Sequence, residues 1–338
     1  MNFDFTDDQR SIKSTAKEFL AARFKPEKLR ELAEAGEYDD GIWKEMCELG
    51  WAGIFIDEEH QGQGLGTVEL AILIEEMGYA LAPSPFLSNA AAGLVIQQAG
   101  SDEQKQRWLP GIASGAARGT LGLVTNGRAP LVPDAAEAAV IVLVDGGQAT
   151  VVERSDADVE PVDTIDSTRR FASVAADGGE ALEGDLQPGL DRAATAVAAE
   201  LAGLAQRTME MAVDYAKERK QFERPIGAYQ AVSHRCAQML MEVESARALT
   251  YFAAYAADSE PDELSLAASA AKAYASDAGW RVSASSLQVH GGIGFTWEHD
   301  LHFFLKRAKA DGHLFGTARE HRDRVADLSM AAAVGAAG

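Results

Sequence analysis

The sequence lacks several features that mark particular classes of protein. It has two cysteines, Cys47 and Cys236, which are too few and too far apart in sequence for a disulfide framework. We expect both to be buried thiols in a reducing compartment. No apolar run approaches the roughly 18 residues that a membrane span needs, and the acidic start MNFDFTDDQR does not have the form of a signal peptide. The sequence therefore predicts a soluble cytoplasmic protein.

Basic residues are also scarce relative to acidic ones. The chain of 338 residues has 31 Lys and Arg against 52 Asp and Glu, which gives a net charge of −21. A surface of this sign repels nucleic acid, so we expect no nucleic-acid partner. An anionic ligand would need a local group of cations.

The order of sequence patterns predicts an α+β protein. Residues 1–118 have helical periodicity, including a capping box at Thr6-Asp7-Asp8-Gln9 and a helix from Ser101 that should close on Pro110-Gly111. Residues 119–188 consist of short β-branched runs that predict a small antiparallel sheet, with Gly146-Gly147 as a hairpin turn. Residues 189–338 are helical and rich in alanine, as expected for a C-terminal helical bundle.

Two motifs suggest sites that the surrounding sequence does not support. GQGLGT (Gly62, Gly64, Gly66) does not follow a strand of a βαβ unit, so a turn before a helix explains it better than a nucleotide-binding loop. HDLH places two histidines three residues apart, with two more downstream, but no acid or cysteine is spaced to complete a zinc site. We predict no metal site at these histidines, which are His299, His302, His313 and His321.

Two stretches in the last third favour a dinucleotide ligand. In ERKQFERPIG, Arg219 ends a long helix and Phe222 follows it, which suits a diphosphate beside a planar ring. Alone, a cation at a helix C-terminus explains Arg219 equally well. In QVHGGIGF, Gln288 precedes Gly291 and Gly292, which permit close approach of the backbone to a ligand. Together the stretches predict two walls of one anionic site.

These stretches resemble the signatures of the acyl-CoA dehydrogenases, and the resemblance runs almost end to end. It includes GQGLGT, GSDEQKQRWLP, VTN, DSTRRFA, GLAQRTMEMAVDYAKERKQFERPIGAYQAV and QVHGGIGFTWEHDLHFFLKRAK. It implies an N-terminal helical domain, a middle β domain and a C-terminal four-helix bundle. It also implies that FAD is the cofactor and that its ADP half is held for the neighbouring subunit of a dimer. The residues at the corresponding positions are Arg219, Gln221, Phe222, Gln288, Gly291 and Gly292.

The chain departs from the family at the catalytic base. The resemblance implies a glutamate just before a Gly-Thr, and Phe315 stands there, in a tripeptide Phe315-Gly316-Thr317 that we expect to be exposed. A minority of the family places the base on the helix after the sheet, where this chain has Ala193 and Ala194. Neither a phenyl nor a methyl group accepts a proton. We therefore predict no catalytic residue in this chain.

The part of the family's pattern that surrounds the flavin ring is reduced as well. Thr125 of the VTN stretch is kept, but Asn126 follows it and the usual acid-Pro and Ala-Gly-Ser-Asp turn is missing. A strand with Trp-Ile-Thr, which covers the ring in the family, has no counterpart between Val132 and Val151. The middle domain is therefore expected to be shortened.

The resemblance implies a subunit of a heteromeric dehydrogenase, similar to the small, base-lacking subunits of actinobacterial α2β2 enzymes. Those enzymes act on CoA thioesters of steroid side chains, and the implied partner is a larger homologue. One alternative is a homo-oligomeric enzyme with a relocated base, Glu200 or Glu298, although Glu200 lies about 10 Å along the helix from the expected position. Another is a scaffold without catalysis, which the retained Arg219 and Gln288 disfavour.

Overall fold

The structure is a computed structural model that describes the main chain of residues 4–335 and the side chains of residues 4–333. Its first part is helical, with short 3-10 turns at Trp51–Gly53 and Glu58–His60. The helices are α1 (Asp7–Arg23), α2 (Pro26–Ala35), α3 (Asp40–Glu48), α4 (Thr67–Ala80), α5 (Phe86–Ala99) and α6 (Asp102–Ala113). Helices α4 and α5 are buried along most of their length, so they form the centre of this part.

Capping residues set where these helices begin. The amide of Gln9 donates to Thr6 Oγ1 at 3.2 Å and the amide of Thr6 donates to Gln9 Oε1 at 3.0 Å, which confirms the predicted capping box. Ser101 caps α6 in the same way. The predicted end of α6 at Pro110 is wrong, because the carbonyl of Pro110 still accepts from Ser114 and the helix continues to Ala113.

The middle part contains two small sheets. The strands are β1 (Gly119–Leu123), β2 (Ala129–Pro133), β3 (Val140–Asp145), β4 (Gln148–Glu153), β5 (Asp158–Val162), β6 (Phe171–Ala175) and β7 (Glu180–Leu182). One sheet has the order β1-β3-β4-β7 and the other β2-β6-β5. The predicted hairpin at Gly146-Gly147 is confirmed between β3 and β4.

The prediction of a single antiparallel sheet is wrong in one respect. Strand β1 pairs with β3 in parallel, from Gly119 opposite Val140 to Leu123 opposite Val144. All other neighbouring strands in these two sheets pair antiparallel. After β1 the chain crosses to the second sheet as β2 and returns as β3, so β3 runs in the same direction as β1.

The last part is again helical. Its elements are α7 (Gln187–Glu218), β8 (Lys220–Gln221), β9 (Arg224–Pro225), α8 (Gln230–Ser259), α9 (Pro261–His290), α10 (Leu301–Asp311) and α11 (Ala318–Gly335). Helix α7 packs against α8 and α9 and also against α4 and α5, which joins the two helical parts. Buried alanines on α7 and α9 let these helices pack closely. Within residues 4–335 no helix has the length and apolar character to cross a bilayer.

The three predicted parts thus appear in the predicted order, while the boundaries at 118/119 and 188/189 stay a prediction. Both cysteines are free thiols, and each is partly rather than fully buried, contrary to the expectation. Cys47 lies on α3, and the burial that it does have raises the pKa of its thiol to about 11.

Candidate functional site

A cleft of about 320 Å³ lies between the sheets and the end of α10. Its walls are mainly apolar, and none of the described residues that line it is an aspartate or a glutamate. The lining residues are Leu121, Leu123, Thr125, Pro130, Leu131, Thr164, Ile165, Phe171, Lys309, Ala310, His313, Leu314 and Phe315. Phe315, at the usual position of the base, and Thr125 of the VTN stretch therefore line one cavity.

Phe315 is a buried wall of this cleft. Its side chain is 9% exposed, so the expectation of an exposed loop is wrong for this residue. Its φ of +53° lies in the left-handed region, which is unfavourable for a bulky residue and must be held by its surroundings. His321 Nε2 lies 3.0 Å from the Phe315 carbonyl, and Lys272 Nζ donates to the Gly316 carbonyl at 2.9 Å.

Lys272 of α9 holds the backbone around Phe315 by hydrogen bonds. Its side-chain nitrogen is buried and also donates to Ser276 Oγ at 3.0 Å and to the Gly312 carbonyl at 3.4 Å. Burial lowers the pKa of Lys272 to about 7, against the opposing influence of Asp311. The backbone that carries Phe315 is thus fixed at both ends by one side chain of α9.

The two other acids considered as bases are not in the cleft. Glu200 is buried on α7 and forms ion pairs with Arg169 at 2.8 Å and with Arg307 at 2.8 Å. These two guanidiniums outweigh burial and lower the pKa of Glu200. Glu298 is exposed in the segment before α10, where its backbone carbonyl accepts from Arg30 at 2.9 Å. Both oxygens of Glu200 are engaged, so it has no capacity to act as a base.

The alternative base position at the start of α7 is packed in the core. Ala193 and Ala194 are 0% and 2% exposed. Their methyl groups are part of the interior of the helical part, and neither residue lines the cleft.

The structure adds a residue that sequence reasoning did not assign to the cleft. His313 lies two residues before Phe315 and its exposed imidazole borders the cavity. Partial burial and the nearby cations Lys309 and Lys272 lower the pKa of His313, so the ring is neutral near pH 7. Its position shortly before Phe315 was the available signal in the sequence, where the pattern of histidines suggested only a metal ligand.

The predicted cofactor residues of the first stretch lie on an exposed β-hairpin at the end of α7. Arg219 is the C-terminal cap of α7, and Gln221 lies on β8. Phe222 and Glu223 form the tip with φ of +52° and +67°, which leaves the ring of Phe222 88% exposed. Among the described residues, no acid or hydrogen-bond acceptor is paired with the guanidinium of Arg219.

The predicted residues of the second stretch lie where α9 ends. The side chain of Gln288 is exposed, and Gly291 has φ +63°. A Cβ built on Gly291 or Gly292 would meet no atom within 4 Å. This glycine turn therefore offers an accessible backbone, and at Gly291 it adopts a conformation that favours glycine.

An aromatic stack joins the two stretches. The ring of Tyr215 lies 4.5 Å from the ring of His290 and nearly parallel to it. Tyr215 is one turn before Arg219, whose amide donates to the Tyr215 carbonyl at 2.8 Å, and His290 directly precedes Gly291. The hairpin and the glycine turn thus leave the bundle from neighbouring positions. A cation, an exposed ring and an accessible backbone are the groups that fit an adenosine diphosphate moiety.

The two motifs that were set aside also have definite places. Gly66 is the N-terminal cap of α4, which confirms the reading of GQGLGT as a turn before a helix. His299 contacts His290 with ring centroids 4.6 Å apart, while His302 contacts Trp297 and Phe303. His321 faces the Phe315 carbonyl, so these histidines do not lie in one cluster.

Comparison with known proteins gives a consistent result at three levels. The family description "Acyl-CoA dehydrogenase, N-terminal domain" matches residues 6–116, and "Acyl-CoA dehydrogenase, C-terminal domain" matches residues 185–330. The acyl-CoA dehydrogenase IpdE2 of Mycolicibacterium smegmatis is 34% identical over 322 residues, which cover 95% of this chain and 98% of IpdE2. IpdE2 of Mycobacterium tuberculosis is 36% identical over 321 residues, with 93% and 95% covered.

Solved structures share the whole fold. A variant of the Tcur3481-Tcur3483 steroid ACAD superposes with a TM-score of 0.88 at 27% identity, covering 98% of this chain and 99% of that one. The ChsE4-ChsE5 complex from Mycobacterium tuberculosis gives a TM-score of 0.88 at 23% identity, with 97% and 98% covered, which supports the fold alone. The matches at both ends of the chain, and relatives aligned over almost their full length, show that this chain belongs to the acyl-CoA dehydrogenase family.

Proposed function

We propose that this chain is the base-lacking subunit of a heteromeric, FAD-dependent acyl-CoA dehydrogenase. One observation carries the proposal: within the described part of the chain, no carboxylate lines the cleft that contains Phe315. The α,β-dehydrogenation of an acyl-CoA needs a base at the α-carbon, and a phenyl ring cannot accept that proton. A homologous partner would supply the glutamate, in an α2β2 assembly.

The acids of this chain do not replace the missing base. Glu200 is enclosed by Arg169 and Arg307 and serves to fix the sheets to the helices. The same cluster includes Asp311, whose pKa is raised to about 8 by burial, but no carboxylate of this cluster lines the cleft. Ion pairs within the chain join the charged groups of this cluster, while Arg169 Nε and Asp311 Oδ2 have no hydrogen-bond partner among the described residues. A buried group of ion pairs of this kind is a structural network.

FAD is the cofactor of the family, and when bound it accepts the hydride from the substrate β-carbon. The exposed residues of this chain fit the ADP half. Arg219 would pair with the diphosphate, Phe222 and Gln221 would lie beside it, and Gln288 with Gly291 would contact it from the second side. Because Arg219 has no acid partner among the described residues, binding to a diphosphate would break no ion pair within the chain.

The relatives support a substrate class for the proposed complex. Acyl-CoA dehydrogenases act on acyl-CoA thioesters, and the similar Tcur3481-Tcur3483 protein is a steroid ACAD by name. We therefore assign a steroid side-chain CoA thioester as the substrate class of the complex. The name of that protein joins two chains, which supports a heteromeric assembly. A cytoplasmic location stays a prediction.

A second candidate function rests on His313. This imidazole borders the cleft and is neutral near pH 7, so it could accept a proton in place of a glutamate. The chain would then be a complete homo-oligomeric dehydrogenase with a relocated base. This candidate requires a full flavin site in one chain, whereas the proposed subunit does not.

Co-expression distinguishes the two candidates. The chain is produced alone and together with a homologue that has Glu before its Gly-Thr, and acyl-CoA-dependent dye reduction is measured for each. We expect turnover from the co-expressed pair only, with two copies of each chain by native mass spectrometry. Turnover by the chain alone that is lost in His313→Gln would instead establish the homo-oligomeric enzyme.

A further inference from the structure

The 3-10 turn Glu58–His60 and the preceding Asp57 bring three metal-binding side chains together outside the cleft. One ligand atom from each of Asp57, Glu59 and His60 lies within 4.8 Å of the others. The carboxylates are exposed, while the imidazole is buried. An exposed pair of acids is not a site by itself, so the state of the histidine decides what this turn can do.

His60 has a buried nitrogen that nothing in the described chain satisfies. The residue is 4% exposed, and its Nδ1 has no hydrogen-bond partner among the described residues. The same Nδ1 lies 3.7 Å from Glu59 Oε1, so it faces that carboxylate, but at a distance beyond a hydrogen bond. Buried polar atoms are nearly always paired, and an unpaired one that faces an exposed carboxylate is the arrangement that a cation would complete.

The backbone of the turn is held in place before any ligand binds. The amides of His60 and Gly62 donate to the Asp57 carbonyl at 2.9 Å and 3.1 Å. The amide of Asp57 donates to Gln97 Oε1 at 3.1 Å, which ties the turn to α5. A Cβ on Gly62 would lie 1.9 Å from the Ile56 carbonyl, so this segment is packed tightly. Little ordering of the backbone would accompany binding.

From this geometry we infer that the turn binds a divalent transition-metal ion of the zinc class. Bonds from such an ion to nitrogen and carboxylate oxygen are about 2.0–2.2 Å, so ligand atoms of one ion lie up to about 4 Å apart. The ligand atoms of the three side chains lie within 4.8 Å of one another, so the side chains must move closer together to hold one ion. One imidazole and two carboxylates suit Zn²⁺ better than Cu⁺, which prefers sulfur ligands, and they leave a position for water. The site is independent of the proposed subunit role.

Zinc titration of the untagged, chelator-treated full-length chain tests this inference. Isothermal calorimetry should show one Zn²⁺ per chain, and affinity should fall at least tenfold in Asp57→Asn, Glu59→Gln and His60→Gln. Glu58→Gln is the matched control, because Glu58 is an exposed acid in the same turn but outside the group. It should bind Zn²⁺ like the unmodified chain.

Three outcomes overturn the inference: no zinc binding, binding that survives the three substitutions, or an equal loss in Glu58→Gln. The last result would mean that only general negative charge attracts the ion. Since His60 is buried, its substitution could impair folding, and circular dichroism checks for this. If His60→Gln does not fold, the zinc affinities of Asp57→Asn and Glu59→Gln, which replace exposed side chains, decide the question.

Discussion

Replacement of Arg219 by alanine separates a group offered to a partner's cofactor from an ordinary helix-end charge. Arg219 caps α7 and is exposed, and no described residue is paired with its guanidinium. Its removal should therefore change the free energy of unfolding by less than about 0.5 kcal/mol. In the complex, loss of a charge-assisted contact to a diphosphate should cost about 1.5–3 kcal/mol, which is roughly a 10- to 100-fold loss of FAD affinity.

The assay is the dissociation constant of FAD for the co-expressed complex, measured by quenching of flavin fluorescence at fixed salt. Lys217→Ala is the matched control, since Lys217 is an exposed cation in the last turn of the same helix, 3.5 Å from Asp214. The control should retain FAD affinity within about twofold. Equal affinities for the unmodified complex and the Arg219→Ala complex would refute the trans-site reasoning and leave Arg219 as a helix-end charge.

Three further predictions concern the interior. Phe315→Glu protein made without partner should show no acyl-CoA-dependent dye reduction, because a base also needs a fixed flavin ring, and misplacement of about 1 Å can cost a hundredfold; a yellow, active protein would contradict this. Glu200→Gln should lower the free energy of unfolding by about 3–5 kcal/mol in urea titrations, because Arg169 and Arg307 lose the carboxylate that they share. A loss below about 1 kcal/mol would show that these ion pairs do not stabilise the fold. The free energy of unfolding of the unmodified chain, relative to that of Lys272→Met, should rise between pH 7 and 10.5. Over this range the unfolded lysine, with its usual pKa of 10.5, binds more protons than the folded one, whose pKa is about 7. A flat or falling difference in urea titrations at several pH values would be inconsistent with a neutral buried Lys272.

The elements of the fold were largely predictable because their signals are local. The capping boxes at Thr6 and Ser101 and the glycine pair Gly146-Gly147 lie within a few residues of the structures they specify. The parallel pairing of β1 with β3 was not predictable in this way. The parallel pairing arises because β2 belongs to the second sheet, and the sequence of a single strand does not specify which strands lie beside it.

The candidate site was predictable only in part. The resemblance picked out Arg219 and Gln288, and the structure places both on the exposed ends of the bundle. The burial of Phe315 and the ion pairs of Glu200 depend on side chains that are far away in sequence. Arg169 and Arg307 are 31 and 107 residues from Glu200, so their ion pairs have no sequence signal at the glutamate itself.

The FAD content of the purified chain tests the subunit proposal most directly. The chain is purified alone and in complex with its homologous partner, and flavin absorbance is divided by the polypeptide concentration. We expect a ratio near zero for the chain alone and a yellow, FAD-containing complex, because the proposed ADP-side residues are present while the sequence between Val132 and Val151 has no counterpart of the family's Trp-Ile-Thr stretch. One FAD per chain in the protein purified alone would contradict the proposal and establish a complete flavin site in this chain.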